Sequence, residues 1–307
     1  MAKKKKNKFD RYIESLHDIR DKLVIITGAN SGLGYEMARV ALLKGAHLIM
    51  ACRNKERAEK AKESLINETG NKNIEIELYD QSDLKSVHSF ASLIQSKYQN
   101  FYALVLNAGI FLPTETLDEF KISNVYRTNF IGALVLLEDL NNFISQSESE
   151  RRIIIQGSMA SFFNKYKNKD KFIYGIYSPF KQYALSKLCC SNLFIYHRDN
   201  NHNPYVKYLL CEPGIATTGL FKNFKKWFKN LSAPFLIIIG NSSRAGSLSG
   251  CKLLCDIASN GDYYRPRHLF TAKGLPKKGH YPKKYIFSNI IKDGLEIAEQ
   301  YEQSEQR

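Results

Sequence analysis

The sequence lacks the features by which membrane and secreted proteins are usually recognised. No segment approaches the roughly 20 apolar residues that a membrane-spanning helix needs. The longest candidate, residues 235–239, is confined between Pro234 and Gly240. The basic start at residues 3–6 has no apolar stretch behind it, so a secretory signal is not expected. These absences predict a cytoplasmic protein without a transmembrane segment.

Cysteine is sparse, and its spacing excludes the common metal motifs. The chain has six cysteines and seven histidines. No two cysteines form a C-x-x-C pair, and the histidines are scattered. Structural zinc sites need paired ligands at short spacings. We therefore predict no metal site and six reduced thiols, as is typical of cytoplasmic proteins.

The first half of the chain lacks any excess of basic charge. The chain carries 45 basic and 30 acidic residues, a formal charge of +15, yet residues 1–150 hold 20 of each. The whole excess therefore lies in residues 151–307. A protein that coats nucleic acid would be basic throughout, so no nucleic-acid partner is predicted. A hydrophobic content of 44% excludes a disordered chain.

Short apolar runs alternate with helical patterns along the chain. The predicted strands are residues 23–26, 46–51, 74–79, 103–106, 152–156 and 206–211. The predicted helices are residues 33–44, 54–68, 82–97, 117–145 and 179–199. This alternation predicts an α/β fold, a Rossmann-type doubly wound parallel sheet with helices on both faces in three αβα layers.

The pattern predicts a single main domain with two flanking segments. Residues 1–20 are expected to be a basic polar tail, and residues 21–262 to form the Rossmann-fold domain, with a small helical substrate lid at about 215–240. Residues 263–307 are expected to be a basic C-terminal extension that ends in a helix. Within it, residues 263–285 read as a solvated extended tail.

A glycine-rich turn joins the first predicted strand to the first helix. It reads Thr27-Gly28-Ala29-Asn30-Ser31-Gly32-Leu33-Gly34. Glycines let the chain turn sharply and bring backbone N–H groups close to a pyrophosphate, which the helix N-terminus also attracts. Because the motif has the required strand–turn–helix context, it predicts a dinucleotide site formed by Gly28, Asn30, Ser31, Gly32, Leu33 and Gly34.

The end of the second strand indicates which dinucleotide is bound. An NAD site usually carries Asp or Glu there for the ribose 2′-hydroxyl. This chain instead has Ala51-Cys52-Arg53-Asn54, and Arg53 could pair with a 2′-phosphate. The alternative is that Arg53 is a solvated residue at a helix start. We predict NADP(H) as the cofactor rather than NAD(H).

Three motifs in order resemble one family. The glycine turn, Asn107-Ala108-Gly109 after the fourth strand, and Tyr183-x-x-x-Lys187 resemble the short-chain dehydrogenase/reductases over roughly residues 20–260. The residues around Arg53 and the 25-position gap from Ser158 to Tyr183 are similar to the retinol-dehydrogenase-like branch. That resemblance implies NADP(H) and lipophilic aldehydes, ketones or alcohols. The family often forms homodimers through two long helices.

The resemblance also implies roles for cofactor-binding residues. Asp80 would contact the adenine ring, while Asn107, Ala108 and Gly109 would lie beside the adenosine ribose. The loop Pro213-Gly214-Ile215 with Thr218, or Thr217 in its place, would hold the nicotinamide carboxamide, and Tyr183 and Lys187 would also contact the cofactor. Glu212 departs from the family pattern, which has a neutral residue or His there; it could be a surface residue or one that alters the pocket.

Four residues resemble the catalytic tetrad of the family: Asn129, Ser158, Tyr183 and Lys187. A free tyrosine, with a pKa near 10, is a poor acid–base group at neutral pH. Lys187 follows one helical turn later, on the same face, where its ammonium would favour the phenolate. Ser158 would orient the substrate oxygen. Asn129 would hold a water in a proton relay, although an asparagine can also bridge helix and strand structurally.

Residues 219–231, within the predicted lid, combine an apolar stripe with lysines. Leu220, Phe224, Trp227, Phe228 and Leu231 fall on one helical face, with Lys222, Lys225, Lys226 and Lys229 opposite or flanking. Three interpretations stay open. The stripe closes over an apolar substrate, the helix rests peripherally on an anionic membrane surface, or the lysines attract an acidic substrate.

Together these patterns predict an NADP(H)-dependent oxidoreductase of a carbonyl/alcohol pair, with a small lipophilic molecule as substrate. Two alternatives are retained. One is an NAD-linked dehydrogenase of a small polar alcohol on the same fold. The other is a non-enzymatic dinucleotide-sensing scaffold.

Overall fold

A computed structural model describes residues 7–111, 120–215, 241–268 and 273–305. Its strands are β1 (Leu23–Thr27), β2 (His47–Cys52), β3 (Ile74–Leu78), β4 (Ala103–Leu106), β5 (Arg151–Gln156), β6 (Val206–Cys211), β7 (Tyr263–His268) and β8 (Lys273–Gly279). They form one sheet in the order β3-β2-β1-β4-β5-β6-β7-β8. All neighbouring strands pair in parallel except β7 and β8, which are antiparallel.

Helices connect and cover these strands. They are α1 (Lys8–Ser15), α2 (Gly32–Leu43), α3 (Lys55–Thr69), α4 (Leu84–Lys97), α5 (Asn124–Tyr126), α6 (Gly132–Asp139), α7 (Asn141–Ser145), α8 (Pro179–Asn200), α9 (Ser243–Gly246), α10 (Leu248–Cys255) and α11 (Ile290–Glu305). A π-helical turn spans Arg127–Ile131, and 3-10 turns span Met159–Phe163, Lys169–Phe172 and Lys283–Tyr285. Among the described helices, none is long and apolar enough to cross a bilayer.

The sheet is buried on both faces, as its continuous apolar strands require. Successive strand residues point to opposite faces. Ile25 belongs to a core shared with α4, α6, α8 and α11, whereas Val24 and Ile26 belong to a second core shared with α2, α3 and α10. The predicted three-layer αβα Rossmann-type sheet is therefore confirmed.

The strand order places a crevice at the carboxyl end of the sheet. β1 pairs with β2 on one side and with β4 on the other, so the winding direction reverses between β1 and β4. Ligands of open α/β sheets bind at such a reversal, outside the carboxyl ends of the strands. The loops after β1, β4, β5 and β6 all reach this edge, and each carries predicted site residues.

The N-terminal segment departs from the sequence prediction. Residues 1–20 were expected to form a polar tail, yet residues from Lys8 onward form α1, capped by the Asn7 side chain. Ile13, Leu16 and Ile19 are buried against the α2 side of the sheet. Ile13, Leu16 and Ile19 recur at every third position, a spacing compatible with one helical face. The sequence therefore contained a signal of this packing, which the basic and polar composition of residues 1–20 outweighed in the prediction.

The basic segment after residue 262 also departs from the prediction. Rather than forming a solvated tail, it supplies β7 and β8 to the sheet. β7 pairs with β6 through Leu210 opposite Tyr263 and Cys211 opposite Tyr264. Its lysines, arginines and prolines mask the strand pattern, because the outer strand of a sheet tolerates charge and proline. The terminal helix is present as α11.

The long helix predicted for residues 117–145 is broken into several pieces. Residues 112–119 lie outside the described part, and the remainder is divided among α5, the π turn, α6 and α7. The π turn is followed by Gly132, where a Cβ would stand 1.9 Å from the backbone oxygen of Gln81. Insertions of this kind often occur at functional positions in helices, and Asn129 lies in this one.

Candidate active site

The glycine turn packs so closely against the loop after β4 that it leaves no room for side chains. Gly28 has a φ of +67°, a conformation that L residues rarely adopt. A Cβ on Gly34 would stand 2.5 Å from both the Gly28 oxygen and Asn107 Nδ2. Ser31 makes no side-chain cap to α2, so the first N–H groups of the helix are left for a ligand. The turn therefore fits the pyrophosphate of a dinucleotide.

The remaining predicted residues of this turn lie at its surface. Asn30, Gly32 and Leu33 are half-buried, and Ser31 is exposed. Gly28 N donates to Ala51 O at 2.8 Å, which ties the turn to the end of β2. The structure thus brings the glycine turn and the β2 terminus to one site.

The Asn107-Ala108-Gly109 loop is anchored by Thr27, the last residue of β1, for which the glycine-turn motif predicts no role. Thr27 Oγ1 accepts hydrogen bonds from Asn107 N at 3.0 Å and Ala108 N at 2.9 Å. Asn107 Nδ2 donates to Thr27 O at 2.9 Å. The Asn107 side chain therefore stabilises the junction of β1 and β4 directly. Gln81 Nε2 supports the loop from outside by donating to Ala108 O at 3.3 Å.

Arg53 and Asp80 stand side by side at the carboxyl ends of β2 and β3. Arg53 Nη1 lies 3.7 Å from Asp80 Oδ2, and the Arg53 side chain is 69% exposed. Asp80 Oδ1 accepts from Ser82 N at 2.9 Å and from Ser82 Oγ at 2.6 Å, which fixes the carboxylate. A long, exposed guanidinium at this end of the crevice is free to turn toward a phosphate.

Tyr183 and Lys187 lie on the buried face of α8. They are 9% and 5% exposed, one helical turn apart. Lys187 Nζ donates to Gln156 O at 3.0 Å, so the last residue of β5 fixes the ammonium. The Tyr183 ring packs on Phe111, with the ring centroids 4.7 Å apart. The hydrogen bond to Gln156 O therefore fixes the position of the Lys187 side chain, one helical turn after Tyr183.

Gly109 is the point at which the loop after β4 meets this pair. A Cβ on Gly109 would stand 3.0 Å from Asn129 Oδ1 and 3.6 Å from Lys187 Nζ. A side chain at this position would crowd the Asn129 amide oxygen, while Lys187 Nζ lies at an ordinary contact distance. The structure therefore brings Gly109, Asn129 and Lys187 together.

Asn129 uses its side chain as a bridge. Its Oδ1 accepts from Ile110 N at 2.7 Å, and its Nδ2 donates to Ile110 O and to Ser186 Oγ, both at 2.9 Å. Its backbone oxygen accepts from Cys190 Sγ at 3.0 Å. The amide thus joins the loop after β4 to α8. This is the structural role that the sequence allows for Asn129 as the alternative to a proton relay.

Ser158 follows β5 and begins a short 3-10 turn. Its Oγ accepts from Ala160 N at 3.2 Å, and the side chain is buried. Ala160 belongs to the same small apolar cluster as Tyr183, so the turn packs against the tyrosine. Since Oγ is the acceptor in this bond, the hydroxyl hydrogen is available to a second partner.

Pro213, Gly214 and Ile215 form a loop clamped by a residue that sequence reasoning missed. Asn241 Nδ2 donates to Pro213 O at 2.9 Å, and Asn241 N donates to Ile215 O at 2.6 Å. Asn241 follows the segment 216–240, which lies outside the described residues together with Thr217, Thr218 and the lysines of the predicted lid. A single asparagine after the apolar run 235–239 carries no sequence signal of such a clamp.

Glu212 is buried, so the surface alternative for this residue is wrong. It is 1% exposed, and among the described residues neither oxygen has a partner at ordinary hydrogen-bond geometry. Burial raises the pKa of Glu212 to about 7, while the Tyr263 hydroxyl and the Arg265 guanidinium act in the opposite direction. An acidic residue here was visible in the sequence, but its burial depends on β7.

Comparisons with known proteins bear on this geometry. The family model for short chain dehydrogenases matches residues 22–228. The chain belongs to the short-chain dehydrogenase family. Among its members it resembles the retinol-dehydrogenase-like proteins in sequence. The family assignment supports an oxidoreductase that binds a nicotinamide dinucleotide and a small-molecule substrate.

Several curated family members are similar to the chain. The WW domain-containing oxidoreductase of Gallus gallus is 32% identical over 56% of this chain and 43% of its own length. The short-chain dehydrogenase TIC 32 B, chloroplastic, of Brassica napus is 31% identical over 67% of each. The chain thus spans less than half the length of the WW domain-containing relative.

Solved structures show the same fold. An uncharacterised protein from Mycobacterium paratuberculosis superposes with a TM-score of 0.70 at 22% identity, covering 94% of this chain and 96% of that one. Levodione reductase gives a TM-score of 0.62 at 20% identity, covering 76% and 91%. At these identities the two similarities show a shared fold.

Proposed function

We propose that this short-chain dehydrogenase is an NADP(H)-dependent oxidoreductase that interconverts a lipophilic carbonyl compound and its alcohol. The observation that carries the proposal is the arrangement on α8, where Tyr183 and Lys187 share a buried face opposite Gly109. Hydride transfer is the chemistry that a bound nicotinamide supplies. The residues of the chain must place the substrate oxygen and manage one proton.

Tyr183 is the proposed general acid/base. In the reducing direction its hydroxyl donates a proton to the oxygen of the carbonyl as charge develops there, and in oxidation the phenolate takes the proton back. Lys187 donates to Gln156 O, which fixes its ammonium in place. In the proposal this fixed positive charge stabilises the phenolate. Fixed charges of this kind are effective because they are placed before the reaction begins.

Ser158 and Asn129 have supporting roles in the proposal. The Ser158 hydroxyl, whose oxygen is oriented by Ala160 N, donates to the substrate oxygen. The Asn129 amide holds the loop after β4 against Ser186 of α8. The Asn129 side-chain amide already hydrogen-bonds to Ile110 and Ser186. A water of the proposed proton relay would therefore have to bind next to this amide.

Arg53 supports the preference for NADP(H). It is the first residue after β2, where an NAD site would carry a carboxylate. Its contact with Asp80 at 3.7 Å is longer than a direct hydrogen bond and largely exposed, so it contributes little. A 2′-phosphate would offer the guanidinium a stronger, bidentate partner.

Replacing Arg53 by alanine should weaken NADPH binding about 10- to 100-fold, since one charge-assisted pair contributes about 1.5–3 kcal/mol. Binding of NADH, which has no 2′-phosphate, should change less than threefold, and titration calorimetry with both cofactors measures the two effects. Arg20→Ala is the matched control, because Arg20 is similarly exposed but precedes β1 at the opposite edge of the sheet. Tighter binding of NADH than NADPH by the unaltered protein would instead favour the NAD-linked alternative.

Two exposed aromatic rings support a lipophilic substrate. Phe163 and Phe180 are 63% and 45% exposed and meet edge to face, with centroids 5.9 Å apart. Phe180 precedes Tyr183 by three positions on α8, and Phe163 ends the turn that begins after Ser158. Apolar surface beside the reacting groups favours an apolar substrate chain.

A panel of aldehydes and ketones graded by chain length and charge tests this part of the proposal. With NADPH consumption as the readout, kcat/KM should rise about fourfold per added methylene, as expected for about 0.8 kcal/mol of apolar burial per methylene, until the pocket is filled. Anionic analogues of equal length should react more slowly. A preference for short or anionic carbonyl compounds would contradict the lipophilic assignment.

A further inference from the structure

Glu212 is a buried acid that the proposed mechanism does not use. It lies between Cys211, the last residue of β6, and the Pro213-Gly214 loop. Its backbone N donates to Tyr264 O at 2.9 Å, so its position is fixed by the pairing of β6 with β7. A buried carboxyl whose oxygens lack well-formed hydrogen bonds is costly to fold, so its presence calls for an explanation.

The groups that face Glu212 come from three elements. β7 contributes the Tyr263 hydroxyl and the Arg265 guanidinium. The segment after β8 contributes Tyr281, which also faces Ser161 and Ser191. On β6 itself the neighbour is the Cys211 thiol, which in turn faces Lys187. Arg265 is therefore the one cation among these groups that stabilises the carboxylate directly. It lowers the pKa of Glu212 by less than burial raises it.

Glu212 also lies near the backbone that leads into the Ser158 turn. A Cβ on Gly157 would stand 3.4 Å from Glu212 Cγ, and Gly157 N donates to Cys211 O at 2.8 Å. The carboxyl thus lies at the junction of the Ser158 turn and the Pro213-Gly214 loop. In the proposed function these two segments flank the reacting carbonyl and the nicotinamide.

A carboxyl at this junction would interact differently with the two forms of the cofactor. The nicotinamide ring carries one more positive charge in NADP⁺ than in NADPH, whereas the phosphates are the same in both. A carboxylate attracts the cationic ring, and a neutral carboxylic acid does not. Burial raises the pKa of Glu212 to about 7, so both protonation states are populated near neutral pH.

We propose that Glu212 couples its protonation to the redox state of the bound nicotinamide: the carboxylate favours NADP⁺ and the neutral acid favours NADPH. This inference rests on the proposed NADP(H) site. Because coupling between two equilibria is reciprocal, NADP⁺ binding promotes loss of the Glu212 proton. Rising pH therefore strengthens NADP⁺ binding relative to NADPH, and falling pH does the reverse.

The test is the ratio of the two dissociation constants, Kd(NADPH)/Kd(NADP⁺), measured by calorimetry from pH 5.5 to 8.5. Titration of the 2′-phosphate affects both cofactors alike and cancels in the ratio. The ratio should rise about tenfold with a midpoint near pH 7, a coupling of about one pKa unit. Glu212→Gln keeps the size of the side chain and removes its ionisation, so this transition should disappear.

Glu138→Gln is the matched control. Glu138 is half-buried, burial also raises the pKa of its carboxyl, and it lies 3.8 Å from His197. His197 is ten residues along α8 from Lys187, a distance of about 15 Å. The control should therefore keep the pH dependence of the unaltered protein.

Tyr263→Phe provides a second test that leaves the acid in place. The Tyr263 hydroxyl lowers the pKa of Glu212, so its removal should move the midpoint to higher pH. A midpoint near pH 7 that persists in Glu212→Gln, or that Tyr263→Phe leaves unchanged, would overturn the coupling while leaving the NADP(H) site intact. Failure of either cofactor to bind the unaltered protein would instead overturn the proposed function, and the coupling with it.

Discussion

Tyr183→Phe should lower kcat by between a hundredfold and about ten-thousandfold, the usual contribution of a general acid/base. The substitution removes the hydroxyl that exchanges the proton and keeps the ring that packs on Phe111. Lys187 remains fixed on Gln156 O, so cofactor affinity should change less than threefold. NADPH consumption with the best carbonyl substrate and calorimetric cofactor binding measure the two effects separately.

The matched control for this variant is Tyr196→Phe. Tyr196 lies on the same helix, near its far end, and is 41% exposed, so its loss should leave kcat unchanged. If Tyr183→Phe turned over as fast as the unaltered protein, another group would have to supply the proton. If neither protein turned over any carbonyl compound yet both bound the cofactor, the dinucleotide-sensing scaffold would be the better description.

Gly132→Ala should destabilise the protein by about 3 kcal/mol or more, in the range of severe overpacking. Gly132 has an ordinary helical φ of −62°, so helix propensity alone predicts a gain of about 1 kcal/mol. The clash decides the outcome, because the new Cβ would stand 1.9 Å from the Gln81 backbone oxygen. Urea unfolding gives the change in the free energy of unfolding.

The same substitution should also weaken cofactor binding. Gln81 Nε2 bonds to Ala108 O and to Thr128 O, so a displaced Gln81 loosens the loop after β4. Gly70→Ala is the control: Gly70 has a φ of +73° with nothing near its Cβ position, so it tests backbone strain alone, at about 1–2 kcal/mol. Equal losses of stability in Gly132→Ala and Gly70→Ala would show that Gln81 moves away from the added methyl group at little energetic cost.

The sequence predicted the parts of the site that depend on one strand and the turn after it. The apolar runs before Gly28, Asn107 and Ser158 are strands of the sheet, and their carboxyl ends meet at one edge because parallel strands must do so. Tyr183 and Lys187 share a face because four positions make one helical turn. Such local rules place these residues near each other without any long-range information.

What the sequence did not predict depends on contacts between distant segments. Arg151 and Arg152 begin a central strand and are nevertheless buried. Arg151 stacks on the rings of Phe101 and Phe143, while Arg152 Nη1 donates to carbonyl oxygens at the end of α10. Burial of Glu212 likewise follows from β7. Nothing in a local window shows which partner will cover a charged group.

The antiparallel hairpin at the end of the sheet has a consequence for self-association. An outermost strand offers unpaired N–H and C=O groups to other chains, and is a common starting point for aggregation. β8 carries Pro276, which has no N–H, and the exposed Lys277 and Lys278, and its pairing with β7 is irregular near Pro266. This edge is therefore a poor template for strand addition. Part of the positive charge in the second half of the chain thus lies along this edge, where like charges disfavour the addition of a strand from a second copy.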